Sequence, residues 1–119
     1  GFNNVDVDYA REKNIDVTNT PKASTAATAE LTFGLVLAIA RRIVEGDKLS
    51  RTKGFDGWAP LFFRGREVSG KTLGIIGFGE IGSAVAKRAK GFDMDILYTG
   101  PHQKKEKERE IGAIQIYTI

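Results

Sequence analysis

The chain has 119 residues, of which 41% are hydrophobic and 28% charged, the profile of a folded domain with a packed core; this excludes a disordered chain. Its 18 Lys and Arg against 15 Asp and Glu leave a net charge of +3, and their interspersion argues against a dedicated polyanion surface or a nucleic-acid partner. Cysteine is absent, which excludes disulfides and thiolate metal sites and, with no apolar leader at the start, gives the expectation of a reducing, cytoplasmic setting and no bound metal.

Residues 6–14, DVDYAREKN, predict a short helix with Asp6 as its N-cap and Asn14 in the left-handed C-terminal position. An extended piece over 15–18 follows, closed by Pro21. Ser24 or Thr25 then caps a long helix. Its apolar residues Leu31, Leu35, Val36, Ile39, Ile43 and Val44 recur at three- and four-residue intervals and carry it to Gly46, or past Leu49 to Gly54. Residues 31–40 are apolar on almost every side, but the stretch is half the ~20 residues a bilayer demands. The expectation is therefore a helix buried at a domain joint or subunit contact, with no membrane partner.

Over residues 54–70, Gly54, Gly57, Pro60, Gly65 and Gly70 break any periodicity, while Phe55, Trp58, Leu61, Phe62 and Phe63 require shelter. Residues 72–76 predict a strand, 81–90 a helix with Ile81, Val85 and Ala89 on one face, and 94–99 a second strand, a β-α-β unit. A charged helix over 104–112 is weakened by the like-charge pairs Glu106/Glu110 and Lys105/Arg109. Residues 114–119 predict a third strand. Both ends read as cuts in a longer chain, leaving an incomplete sheet with an exposed edge.

The stretch LGIIGFGEIGSA places Gly77, Gly79 and Gly82 in the spacing G-x-G-x-x-G between the first strand and the following helix. Alone that spacing is weak; within a β-α-β unit of ~30 residues it signals a dinucleotide site. Gly77 permits the sharp turn, Gly79 lets the backbone approach a pyrophosphate, and Gly82 lets helix and strand pack closely. The amides near Glu80 and Ile81 would face the phosphates, aided by the helix dipole. At the end of the second strand, where an NAD-specific site carries a carboxylate, the chain reads Thr99-Gly100-Pro101-His102. Asp93 and Asp95 lie at the wrong end of that strand. Lys104 and Lys105 follow, so the loop favours NADP and leaves NAD open; His102 and both lysines can equally form a solvated loop.

The runs TNTPKASTAATAELTFGLVLAIARRIVEGD, GWAPLF, GKTLGIIGFGEIGSAVAKRAKGF and ILYTG resemble the D-isomer-specific 2-hydroxyacid dehydrogenases, most of all their glyoxylate/hydroxypyruvate reductase branch. The resemblance covers residues 1 to about 113. It implies an α/β chain carrying half of a Rossmann domain, a doubly wound parallel sheet, preceded by a long dimerisation helix and arm. Residues 1–20 would end the substrate domain and cross over, 21–70 would form the interdomain helix and dimerisation arm, and 71–119 would begin the NAD(P)-binding domain.

By the same resemblance, Gly77, Gly79, Glu80, Ile81 and Gly82 fall on the pyrophosphate turn, and Thr28 near the nicotinamide end. Thr99, Gly100, Pro101, His102, Gln103 and Lys104 fall on the adenosine-ribose loop, where NADPH-using members often carry Arg directly after T-G. Glu80 stands where Arg is common, though at a helix start its side chain can turn to solvent. Gly1 would end a loop that holds the substrate carboxylate. Trp58 and Phe62 would reach toward a partner subunit's active site, and Arg41 and Arg42 are read as a solvated or interface helix face.

The family's Arg and its Glu-paired His belong to a later part of the domain, so no catalytic residue is assigned and the chain alone is expected to be inactive. The parent reaction implied is hydride transfer between NAD(P)H and a small 2-oxo or 2-hydroxy acid of the glyoxylate or hydroxypyruvate class, in a homodimer formed through 21–70. The alternative is a cofactor-sensing, non-enzymatic interaction protein of the same lineage, like its corepressors. A nucleic-acid binder using residues 104–109 is disfavoured by the glutamates that interrupt the basic residues there.

Overall fold

The computed structural model describes residues 1–55, 57 and 59–117. Its elements run α1 (Val7–Glu12), α2 (Thr25–Ala40), α3 (Ile43–Thr52), β1 (Thr72–Ile76), α4 (Glu80–Lys90), β2 (Asp95–Thr99), α5 (Lys105–Ile111) and β3 (Ala113–Gln115). The strands form one parallel sheet in the order β1-β2-β3. Leu73, Ile96 and Ala113 make one cross-strand row and Ile75, Tyr98 and Gln115 the next; because side chains alternate along a strand, both rows face the same side. There α4 packs on β1 and β2, and α5 packs on α4 and β3.

The core lies in this layer. Val85, Ala86 and Ala89 of α4 meet Met94, Ile96, Tyr98, Ile111 and Ala113, and α2 adds Ala29 and Phe33. Burying a side chain as large as Ile96 or Phe33 contributes about 1.5–3 kcal/mol each. Arg88 ties the two helices further, donating to Glu30 at 3.0 Å. The sheet's other side, with Gly74, Leu97 and Ile114 in one row, is left open, and Ile76 is 82% exposed. This is the α/β class expected, with β1 paired on one side among the described residues.

Local signals were reliable near the start. Asp6 accepts the Tyr9 amide at 2.9 Å and so caps α1, and Asn14 adopts φ 54°. Residues 15–18 pair with no strand among the described residues. Ser24 occupies the N-cap position of α2, but its side chain makes no capping bond, and Thr25 is already helical.

The long helix is the main correction. It does not continue past Ala40: Arg42 is left-handed at φ 54°, and α3 begins afresh at Ile43. Such a conformation costs a non-glycine residue about 1–2 kcal/mol, and contacts distant in sequence hold it. The Arg66 amide donates to the Ala40 carbonyl at 2.7 Å. Gly65 passes so closely that a Cβ there would stand 2.8 Å from that oxygen. Arg42 then lies over the Phe63 ring at 4.1 Å and bonds Glu45 at 2.7 Å, so it is not a simple solvated helix face.

Nor is α2 buried all round. Ala29 and Phe33 enter the core, whereas Leu31, Leu35 and Ile39 are exposed, Ile39 by 78%. Phe55, Leu61 and Phe62 are exposed as well, while Phe63 is half-buried beneath Arg42. Trp58 lies outside the described residues. On α4, Val85 and Ala89 are buried as expected but Ile81 is exposed, and Ala86, outside the expected face, is buried instead, because the face that meets the sheet runs through Gly82, Val85, Ala86 and Ala89. The third strand runs Ala113–Gln115, starting one residue earlier than expected and ending before Ile116; residues 118–119 of the expected strand lie outside the described residues. The chain spans 71 × 36 × 24 Å with a radius of gyration of 20.4 Å, against about 13.5 Å for a compact domain of this length. It is drawn out.

Candidate functional site

The glycine turn stands exposed at the carboxyl end of β1. The Gly77 amide donates to the Thr99 carbonyl at 2.9 Å, which binds the turn to the end of β2. Gly77 sits at φ 91°, a conformation that side chains strain to adopt. At Gly82 a Cβ would fall 2.3 Å from the Gly77 carbonyl oxygen and 3.2 Å from a methyl of Ile75. Both glycines are therefore demanded by the chain's own geometry. Gly79 differs: no atom lies within 4 Å of where its Cβ would be, so nothing in the chain itself asks for glycine there. Phe78 anchors the turn from beneath, buried and stacked on Tyr98 with ring centroids 4.2 Å apart.

The Ser83 amide is the first in α4 to find a carbonyl within the helix, that of Gly79 at 3.1 Å. The amides of Glu80, Ile81 and Gly82 precede it and have no acceptor inside the helix, at the end where the helix dipole favours an anion. The Glu80 side chain does not simply turn to solvent. Lys107 donates to its carboxylate at 3.0 Å, and Lys22 comes within 3.7 Å. The hydrogen bond from Lys107 chiefly, then the charges of Lys107 and Lys22, hold this carboxyl below the ordinary carboxylate range.

The loop after β2 is braced from below. The Tyr98 hydroxyl donates to Glu108 at 2.7 Å and accepts the Lys104 amide at 2.9 Å. Burial, and then the Glu108 carboxylate, push the phenol above its usual range. Gln103 gives its side-chain amide to Glu108 at 3.0 Å, so that group is committed within the chain. Gln115 donates to the Gly100 carbonyl at 3.2 Å. Pro101, His102 and the Lys104 side chain are exposed, while Thr99 and Gly100 are half-buried beside the turn.

The fold thus brings residues 77–82 and 99–100 together and hangs 101–104 from the same end of the sheet. Thr28 lies exposed in the first turns of α2, and Gly1 is exposed with open space about it; among the described residues no hydrogen bond joins either to the turn. Lys22, Lys107, Tyr98 and Glu108 escaped the sequence reading. Only the Y-T-G strand end hinted at one of them. An open cleft of about 840 Å³ sits elsewhere, against Arg41, Arg64, Arg66 and Lys71, and includes no residue of the turn. Among the described residues there is no cluster of metal-holding side chains, and no helix is long and apolar enough to cross a membrane.

Residues 33–118 match the family described as D-isomer specific 2-hydroxyacid dehydrogenase, NAD binding domain. A curated Staphylococcus haemolyticus protein, named provisionally as a 2-hydroxyacid dehydrogenase, is 93% identical over 113 residues, and one from Staphylococcus aureus strain USA300 is 83% identical. The chain spans 36% of the length of each, and 95% of the chain is covered. Among solved structures, a Thermus thermophilus protein superposes with a TM-score of 0.85 at 41% identity, over 98% of this chain and 36% of that one. A D-lactate dehydrogenase from Aquifex aeolicus, complexed with NAD and lactic acid, superposes with a TM-score of 0.76 at 31% identity, over 98% of this chain and 34% of that one.

Proposed function

Because the chain belongs to the D-isomer-specific 2-hydroxyacid dehydrogenase family, we propose that it grips the diphosphate of NAD(P)H at residues 77–82, within an enzyme that interconverts small 2-oxo and 2-hydroxy acids. The carrying observation is the contrast within the turn: Gly77 and Gly82 are explained by the fold, whereas Gly79 leaves open space beside three amides without helical acceptors. That donor set suits a diphosphate, which bare amides and a helix N-terminus solvate well. When bound, the cofactor supplies the hydride. The chain's part is to bind and orient: Gly79, Glu80, Ile81 and Gly82 through their backbone at the diphosphate, Thr99, Gly100, Pro101, His102 and Lys104 at the adenosine ribose, and Thr28 toward the nicotinamide.

Gln103 enters this reading as a brace of the ribose loop, given its bond to Glu108. The loop offers Lys104 and His102 and no carboxylate of its own among residues 99–104, which supports a preference for NADP over NAD. The substrate belongs in the glyoxylate or hydroxypyruvate class, with Gly1 at the carboxylate loop. Residues 1–20 complete a substrate domain, 21–70 form the helix and arm of a homodimer, and 71–119 begin the cofactor domain. The exposed Leu31, Leu35 and Ile39 support the dimer. We assign no catalytic residue and expect no turnover from the chain alone.

Titration with NADPH and NADH, read by cofactor fluorescence, tests the proposal. Saturable binding of both, tighter for NADPH and abolished in Gly79→Val, is expected. Absence of binding overturns the cofactor site, and a preference for NADH overturns the NADP assignment.

A further inference from the structure

Lys107 of α5 reaches across to the first turn of α4 and spends its ammonium on three acceptors: the Glu80 carboxylate at 3.0 Å, the Ser83 hydroxyl at 3.0 Å and the Gly79 carbonyl at 3.2 Å. An ammonium has three protons, so none is left over for a ligand. Lys22 approaches the second oxygen of the same carboxylate at 3.7 Å. A carboxylate on the first residue of a helix suits the helix dipole. It would nevertheless oppose a second anion arriving at the same amides, since like charges a few ångströms apart repel strongly. A brace between α4 and α5 does not require Lys107, because Lys87 and Glu110 already make one.

We infer that Lys107 is a positioning residue for the dinucleotide: it acts through Glu80, drawing that carboxylate toward α5 and neutralising it, so that the amides of Glu80, Ile81 and Gly82 are open to a diphosphate. The inference rests on the dinucleotide reading of the turn. It distinguishes this chain from a turn in which a cation at position 80 meets the phosphates directly; here the cation comes from residue 107 and works at second hand.

The test is a double-mutant cycle on NADPH affinity in the 119-residue chain, with folding of each variant checked by circular dichroism. Lys107→Met is expected to weaken binding about tenfold, because it leaves Glu80 facing the diphosphate with Lys22 alone. Glu80→Gln by itself is expected to tighten binding about threefold. In the Glu80→Gln background, adding Lys107→Met should change affinity less than about twofold. A merely structural brace gives the opposite sign for Glu80→Gln, which would break the same contact and weaken binding. That result, or an equal Lys107→Met penalty in both backgrounds, overturns the inference. No NADPH binding by the unsubstituted chain would instead overturn the dinucleotide reading itself, and this inference with it.

Discussion

Two parts of this chain differ in how much of their large apolar side chains they bury. Between Thr72 and Gln115, the residues Phe78, Met94, Ile96, Tyr98 and Ile111 are buried in one core, to which α2 adds Ala29 and Phe33, while Ile76 and Ile114 stay exposed. Between Thr25 and Phe63, by contrast, Leu31, Leu35, Ile39, Ile43, Val44, Phe55, Leu61 and Phe62 lie exposed. The first part closes its core on the helix side of the sheet. The second leaves most of its large apolar side chains open, so a helix that is apolar almost all round in sequence still stands uncovered in the single chain.

The contrast breaks most readily at Gly82. Gly82→Val should cost about 3 kcal/mol, since its side chain must displace the Gly77 carbonyl and the Ile75 methyl. Thermal unfolding followed by circular dichroism checks this, and a valine tolerated without loss would mean that helix and turn are less tightly seated than described. Tyr98→Phe should cost about 1 to 2 kcal/mol, because the Lys104 amide and the Glu108 carboxylate both lose a partner. Urea unfolding measures it, and an unchanged midpoint would remove Tyr98 as the support of the ribose loop.

In the other part, Leu35→Glu and Ile39→Glu should each change the chain's own stability by less than about 0.5 kcal/mol, since neither residue is buried. Their expected effect is on association: sedimentation should show the unsubstituted chain self-associating and the double variant monomeric. Equal sedimentation of the two would remove the apolar face as the dimer surface.

The smallest effect concerns Glu80. Its carboxyl is held below the ordinary range chiefly by the Lys107 hydrogen bond, so the contribution of that pair is full above the ordinary carboxylate pKa and is lost as pH falls through the depressed value. Lys107→Met should bring the titration of Glu80 back toward the ordinary value, as followed by carboxyl carbon NMR. A titration that does not move would show that Lys107 does not hold the group in solution.

What could be read in advance was local. The Asp6 cap, the left-handed Asn14 and the strand–turn–helix around Gly77 and Gly82 all follow from residues within a few positions of one another. What could not be read depended on distant partners. The end of α2 is set by Gly65 and Arg66, some 25 residues away along the chain. The same holds at the candidate site: the three glycines declared themselves by spacing, but the neutralisation of Glu80 comes from Lys22 and Lys107, which no spacing rule connects to it. Gln103 looked free to meet a ligand because its partner, Glu108, sits on the next turn of chain as an ordinary helix glutamate.

The central claim is that bare main-chain amides at the mouth of α4 receive a diphosphate. Proton–nitrogen correlation spectra of the labelled chain, recorded with rising NADPH, address it at single residues. The largest shifts are predicted at the amides of Gly79, Glu80, Ile81 and Gly82, with smaller ones at Gly100 and His102. Shifts confined to the basic cleft of Arg41, Arg64 and Arg66, with the glycine amides unmoved, would contradict it.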